Sequence, residues 1–398
     1  MVRWQTIDAS SSLRNYSYSK QDINKSDLTS IIETLKSHQL SKGPAVVKFE
    51  NELKKVTNSK YVVAVNSGTS ALIGAIKSLN LKKKSVILVP NITFVATASS
   101  ALLTGYKVEL IDVSKKTGLV EEDDLIKKLK NKKISCFINV HLNGNICNLR
   151  SIHQICKKNN VKIIDDACHA LGTKFNINKK RYRIGDNKFC DISTLSFHPT
   201  KLITTGEGGA ILTNNKSIFK NVKKITNHGY EPLAIKKGKY SHNYYKIVSP
   251  GYNFRISDLN CSLGISQLKR FNSKINQRRK IAKFYDNFFK KNQNIDTLKI
   301  KKFIKCAYHL YPIFIKNEKK INKIQLIKKL RDKNIITQIH YLPLNHQPLF
   351  KKNNKSFSKS NEYFQKVLSI PIHYDIKLQD AKYIAKTIND EVEKLNAS

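Results

Sequence analysis

The sequence predicts an α/β protein in two parts, a large domain built on a mostly parallel sheet and a smaller C-terminal α/β domain. Two observations lead there. Short apolar runs alternate with helical patterns as far as about Asn214, the pattern of a sheet covered by helices on both faces. The chain also has 398 residues, 40% of them hydrophobic, enough for two cores. The expected division is an N-terminal arm and first helix over 1–40, the large domain over 41–268, and the small domain with its connecting helix over 269–398.

Taken in order, Asp27–Lys36 has the apolar spacing of a first helix. Candidate strands follow at Val62–Val65, Val86–Val89, Val108–Ile111, Cys136–Val140, Val161–Ile164, Thr194–Phe197 and Ala210–Thr213. The basic stretch Asn176–Asn187 reads as an exposed turn, and Tyr230–Ser249, rich in Lys, Tyr and Gly, as a mobile loop. From Ile256 a helix carrying Leu259, Leu263, Ile265 and Leu268 leads into the charged stretch Lys269–Phe289, a spine between the domains. His309–Ile315 and Ile335–Tyr341 read as strands of the small domain.

Three segments carry chemistry. In Ser196-Phe197-His198-Pro199-Thr200-Lys201, followed by the glycine-rich Thr205-Gly206-Glu207-Gly208-Gly209, one lysine stands between a hydroxyl and a flexible loop. A lysine that forms an imine with a carbonyl cofactor such as pyridoxal phosphate must be held close and partly desolvated. Lys201 is the candidate, against the plain alternative of a surface lysine in a chain with 72 Lys and Arg. The run Asn66-Ser67-Gly68-Thr69-Ser70 follows a strand pattern and opens a helix, which makes either an anion site for a phosphate or an ordinary Ser/Thr cap. Val161–Ile164 ends in Asp165-Asp166-Ala167-Cys168-His169. A carboxylate at a strand's carboxyl end could hold a pyridine nitrogen protonated, with His169 packed over the ring; a capping aspartate and a core histidine are the alternatives.

With these three segments, Gly43-Pro44, Phe49-Glu50, Pro90–Thr97, Val140–Gly144 and Gly251–Asp258 make the chain resemble the sugar aminotransferase family often called DegT/DnrJ/StrS. That resemblance spans nearly the whole chain, from about Tyr18 onward, and implies the fold type I architecture of pyridoxal 5'-phosphate-dependent transferases. By position it makes Lys201 the imine-forming lysine and acid/base, and Asp166 the partner of the pyridine nitrogen, with Asp165 behind it. Phe94 would stack on one ring face and His169 near the other, although core burial would equally explain Phe94. Gly68, Thr69 and Ser196 would cradle the phosphate. Asn253 would reach the phosphate of a neighbouring subunit, so the resemblance implies a homodimer with shared active sites. Tyr18, His198, Arg255, His340 and Tyr341 are substrate candidates, with ordinary packing an alternative for Tyr18, His340 and Tyr341. Relatives that dehydrate deoxysugars carry histidine in place of the lysine, so the intact Lys201 implies transamination. The implied substrates are L-glutamate and a UDP-sugar. The spellings Ser196–Lys201, His309–Pro312 and Gln338–Tyr341 resemble most the branch that aminates C-4 of a UDP-linked 4-keto-6-deoxy-N-acetylhexosamine in pseudaminic acid biosynthesis.

Composition bounds the remaining classes. Met1–Lys20 is polar, and no run approaches the ~20 apolar residues of a membrane helix, so a cytoplasmic enzyme that does not bind a membrane is expected. Seven cysteines without a secretion signal suggest reduced thiols. His141, Cys147, His153 and Cys156 match no standard zinc spacing, and no metal is expected. Dinucleotide and nucleotide-hydrolase glycine fingerprints are absent. The net charge of +43 suggests nucleic acid as a rival partner. Its lysines are scattered, however, with no basic arm or aromatic RNA-binding motif, which favours a solvated surface and no nucleic acid.

Overall fold

The computed structural model describes residues 14–232, 245–318, 320–351 and 357–397. The first half of the described chain contains α1 (Lys25–Leu35), α2 (Pro44–Thr57), β1 (Tyr61–Val65), α3 (Gly68–Ser78), β2 (Val86–Pro90), α4 (Val95–Leu103), β3 (Lys107–Ile111), α5 (Glu122–Lys128), β4 (Ile134–Val140), α6 (Leu149–Lys158) and β5 (Lys162–Asp166). Then come β6 (Lys174–Ile177), β7 (Lys180–Arg183), β8 (Ile192–Ser196), β9 (Gly209–Thr213), α7 (Lys216–Ile225), β10 (Tyr230–Pro232), β11 (Tyr245–Ile247), α8 (Asp258–Lys269) and α9 (Phe271–Phe289). The C-terminal part adds β12 (Ile295–Thr297), β13 (Ile304–Lys305), β14 (Tyr311–Ile315), α10 (Lys323–Asp332), α11 (Ser358–Lys366), β15 (Val367–Ile370) and α12 (Leu378–Ala397).

Seven strands form one sheet in the order β1-β9-β8-β5-β4-β2-β3. All pairs are parallel except those of β9, which runs against both β1 and β8. β8 and β9 are neighbours joined by residues 197–208, which hold no crossover helix and turn the chain directly back beside β8, so the pair is antiparallel. Because β9 reverses twice, β1, β2, β4, β5 and β8 still point the same way. Their carboxyl ends gather along one edge, where open α/β sheets bind ligands. Both faces are covered. Val62 and Ala64 join the hydrophobic cluster on one side and Val63 and Val65 that on the other, as the two-residue period of a strand requires. A separate cluster around Tyr285, Tyr311, Ile313, Leu326, Ile370 and Ile388 fills the space between the three-stranded sheet β12-β14-β15 and the last helices.

Distant side chains finish several helices. Asp258 caps α2, its carboxylate accepting from the amides of Gly43 (2.8 Å) and Ala45 (2.9 Å). A Cβ on Gly43 would stand 2.6 Å from Asp258 Oδ1, so two of the sequence motifs form a single joint. Phe49 packs edge-on against Phe197 with ring centroids 5.2 Å apart, so α2 supports the base of the lysine loop. The segment from Arg14 to Ser19 straps the two parts of the protein together. Arg14 pairs with Asp380 at 2.9 Å, Tyr16 bonds to Asn334 and Ile336 through its backbone, and Ser19 Oγ donates to the carbonyl of Thr200 at 2.8 Å.

Three expectations are revised. Asn176–Asn187 is not simply a turn: it contributes most of a β-hairpin, β6 with β7, closed by Asn178 and Lys179 at φ 49° and 63°, the left-handed geometry that suits a two-residue hairpin. Ile335–Tyr341 is not a regular strand. It divides its pairing, with Ile335 beside Tyr16 and Gln338 beside Ser369, so no continuous ladder forms. The loop expected over Tyr230–Ser249 lies partly outside the described residues, and its described ends pair as β10 and β11. Among the described residues no helix is long and apolar enough to cross a membrane.

Candidate active site

A pocket of about 550 Å³ opens at the carboxyl edge of the large sheet. Its floor comes from the strand ends. After β1, Ser67 Oγ accepts from the Ser70 amide at 3.0 Å and caps α3, while Gly68 and Thr69 line the pocket. Ser67 thus makes the ordinary helix cap, and the neighbouring Gly68 and Thr69 remain free to face the pocket. The first amides of a helix have no partner within it and face outward. A Cβ on Gly68 would lie 2.9 Å from the Cβ of Ser196, so glycine lets the end of β8 close against the start of α3. The resulting cradle of amides and hydroxyls suits a phosphate.

Asp166 is the last residue of β5 and only 6% exposed. Its Oδ2 accepts from Thr97 Oγ1 at 2.8 Å and its Oδ1 from the Cys168 amide at 3.3 Å. Asp165, one residue earlier, belongs to the other face of the sheet by strand alternation. It accepts from Asn139 at 3.1 Å and lies 3.1 Å from His141 Nε2, so it contacts another set of residues and is not among those lining the pocket.

Lys201 projects from the loop joining β8 to β9. The loop is pinned at its base, where the Phe197 amide donates to Gly208 and the Thr205 amide to Phe197, at 2.8 and 3.0 Å. Among the described residues the Lys201 amine has no hydrogen bond or ion pair. Burial lowers its pKa below the usual lysine value, opposed by Cys168 and Asp166. A lowered pKa leaves more of the amine neutral and nucleophilic.

The remaining walls are rings. His169 sits 4.3 Å from His309 and 6.3 Å from Tyr341 between centroids, and its Nε2 is 3.3 Å from the Tyr341 hydroxyl. Burial, reinforced by neighbouring positive groups, pushes His169 and His309 well below the ordinary histidine range. Burial and then Lys201 bring His340 down to about 3. All three rings are therefore neutral at pH 7. His340 Nδ1 is 2.9 Å from Ser369 Oγ, and Tyr18 lies 5.4 Å from the same ring. Phe94 is 56% exposed and lines the pocket 6.0 Å from Tyr341, so it is not a core residue. His198 stands on the wall with its Nδ1 3.0 Å from Thr200 Oγ1.

Eleven of the thirteen residues singled out from the sequence thus line one pocket. Asn253 and Arg255 do not. Their segment runs beside the end of β1, with Arg255 bridged to Val65 and its guanidinium on Asn227 Oδ1 at 2.9 Å. Sequence reasoning missed Thr93, Thr97, Cys168, Glu207, His309 and Gln338. Thr93 and Thr97 offered one signal: two hydroxyls four residues apart where a helix starts after β2.

The sequence pattern of the DegT/DnrJ/EryC1/StrS aminotransferase family matches residues 21–389. The chain is 37% identical, over 95% of its length and 98% of the relative's, to UDP-4-amino-4,6-dideoxy-N-acetyl-beta-L-altrosamine transaminase of Campylobacter jejuni serotype O:23/36. Among solved structures it is similar to Helicobacter pylori PseC, an aminotransferase involved in the biosynthesis of pseudoaminic acid, at 29% identity and TM-score 0.88, covering 96% of this chain and 100% of that one. Spr1654 of Streptococcus pneumoniae, solved in PMP and PLP forms, is 25% identical with TM-scores of 0.88 and 0.87, each covering 96% of this chain and 100% of that one.

Proposed function

Because the chain belongs to the DegT/DnrJ/EryC1/StrS aminotransferase family, we propose that it transfers the amino group of L-glutamate to C-4 of a UDP-linked 4-keto-6-deoxy-N-acetylhexosamine, a step of pseudaminic-acid-type nucleotide-sugar biosynthesis. The observation that carries the reading is the Lys201 amine, without a partner among the described residues, sharing one pocket with the buried carboxylate of Asp166 and the Gly68, Thr69 and Ser196 cradle. These groups fit pyridoxal 5'-phosphate as the cofactor. When bound, it stabilises the negative charge that develops as an amine is moved. Bound there, it would be held by the cradle at its phosphate, by Asp166 at its ring nitrogen and by Phe94 and His169 at its ring, with the Lys201 amine placed to take and return a proton.

Tyr18, His198, His340 and Tyr341 line the same pocket and are the sugar-facing candidates. The 37% identity to a transaminase of the same 4-amino sugar supports the choice of substrate. Asn253 and Arg255 lie outside their own pocket, and Leu28, Ile32, Leu35 and Leu103 are exposed on α1 and α4. Both facts support a homodimer in which each copy lends Asn253 to the other's site. Glutamate leaves as 2-oxoglutarate before the sugar reacts, so the kinetics are ping-pong.

The test is a visible spectrum. Purified protein should show a band near ~410 nm, where an imine-conjugated cofactor ring absorbs. The band should bleach with L-glutamate and return with the 4-keto UDP-sugar, and Lys201→Ala should lack it before substrate is added. Bleaching without return would reject this sugar and point to a sister aminotransferase. No band after added pyridoxal phosphate would reject the enzyme reading.

A further inference from the structure

A carboxylate as buried as that of Asp166 is costly unless it accepts hydrogen bonds. Among the described residues Thr97 Oγ1 donates to Oδ2 at 2.8 Å and the Cys168 amide to Oδ1 at 3.3 Å, with the weakly donating Cys168 thiol also beside the carboxylate. Thr97 is fully buried, and behind it, one helical turn away, the equally hidden Thr93 hydroxyl lies 2.8 Å from Thr97 Oγ1. An ionised carboxylate can only accept. The proton on Thr97 therefore points at Asp166, which leaves the Thr97 oxygen free to accept from Thr93. The result is a one-way chain, Thr93 to Thr97 to Asp166, whose successive bonds polarise one another.

The geometry is that of a brace. Thr97 lies in the first turn of α4, a helix that follows the strand two places along the sheet from β5. The hydroxyl thus reaches Asp166 from a neighbouring element and fixes where Oδ2 points. We propose that Thr97, backed by Thr93, holds the Asp166 carboxylate turned toward the cofactor ring nitrogen, a positioning role that rests on the function proposed above.

The test uses full-length protein loaded with isotope-labelled pyridoxal phosphate. Thr97→Val keeps the β-branched shape and removes only the hydroxyl. The ring-nitrogen NMR resonance of the bound cofactor should move from its protonated position toward the unprotonated one. Loss of one hydrogen bond to a charged group should also weaken cofactor binding by about tenfold or more. Thr97→Ser should restore both. Thr93→Val, which leaves the bond to Asp166 in place, should shift the resonance the same way by less. With glutamate as donor, kcat should fall in Thr97→Val while KM changes little.

An unchanged ring resonance and cofactor affinity in Thr97→Val would overturn the brace while leaving the aminotransferase reading intact. Failure of the wild-type protein to bind pyridoxal phosphate would overturn both. If Thr97→Val does not fold, an unmoved resonance in Thr93→Val would overturn the relay.

Discussion

His340 makes the acid stability of this protein predictable. Its ring is 6% exposed and lies in the pocket that holds Lys201. Burial first, and then that lysine, bring its pKa from 6.5 down to about 3. In the unfolded chain the ring takes up a proton near pH 6.5, whereas the folded protein refuses it until about pH 3. Between those values the unfolded state binds more protons, so stability falls as pH falls. One pH unit is worth about 1.4 kcal/mol, so lowering the pH from 7 to 5 should cost about 2 kcal/mol through this residue alone. His169 and His309, both pushed down by burial, steepen the loss in the wild type. His340→Gln retains a group able to bond Ser369 but cannot take up the proton. Urea unfolding of wild type and variant at pH 7, 6 and 5 should give curves that differ in slope, the variant losing about 2 kcal/mol less over that range. Parallel pH dependences would refute the argument, since the proton would then not discriminate between the folded and unfolded states at this ring.

Asp166→Asn should spare the fold and the phosphate cradle while lowering kcat about 10²-fold or more, measured by coupled 2-oxoglutarate release. Asp258→Ala removes the acceptor for the Gly43 and Ala45 amides and should cost about 1–3 kcal/mol, read as a fall in Tm with little change in the residual rate per folded molecule. The net charge of +43 should speed capture of an anionic sugar nucleotide, so kcat/KM should decline between low and high salt. A flat salt profile would leave that charge without a part in capture.

The large sheet was legible because strands buried on both faces are written as unbroken apolar runs, such as Tyr61–Val65 and Val86–Pro90. The site was legible for a related reason: small, acidic and hydroxyl residues directly after such runs stand out. What the sequence concealed depends on contacts across space. Thr93 and Thr97 show locally as two hydroxyls one turn apart, but nothing in that spacing indicates a carboxylate 69 positions further on. The β6–β7 turn uses Asn178 and Lys179 instead of a glycine, so the hairpin was hidden within a basic stretch. Ile335–Tyr341 has the apolar content of a strand, but its two pairing partners, Tyr16 and Ser369, come from opposite ends of the chain. His309 was read as the start of a strand and as part of a family spelling, without a place in the site; its position beside His169 emerges when the C-terminal part closes over the sheet.

The strap from Arg14 to Ser19 sets an order of events on the ribosome. Asp166, Lys201 and β9 have all been translated by Thr213, so the cradle and the lysine loop could assemble early. Tyr18, however, accepts from the Ile372 amide, Tyr16 bonds to Asn334 and Ile336, and Arg14 waits for Asp380. The wall that Tyr18 gives the pocket therefore cannot be set until the chain reaches Ile372, well over a hundred residues past Thr213. A nascent chain would carry the reactive lysine well before it had a finished chamber to shelter it.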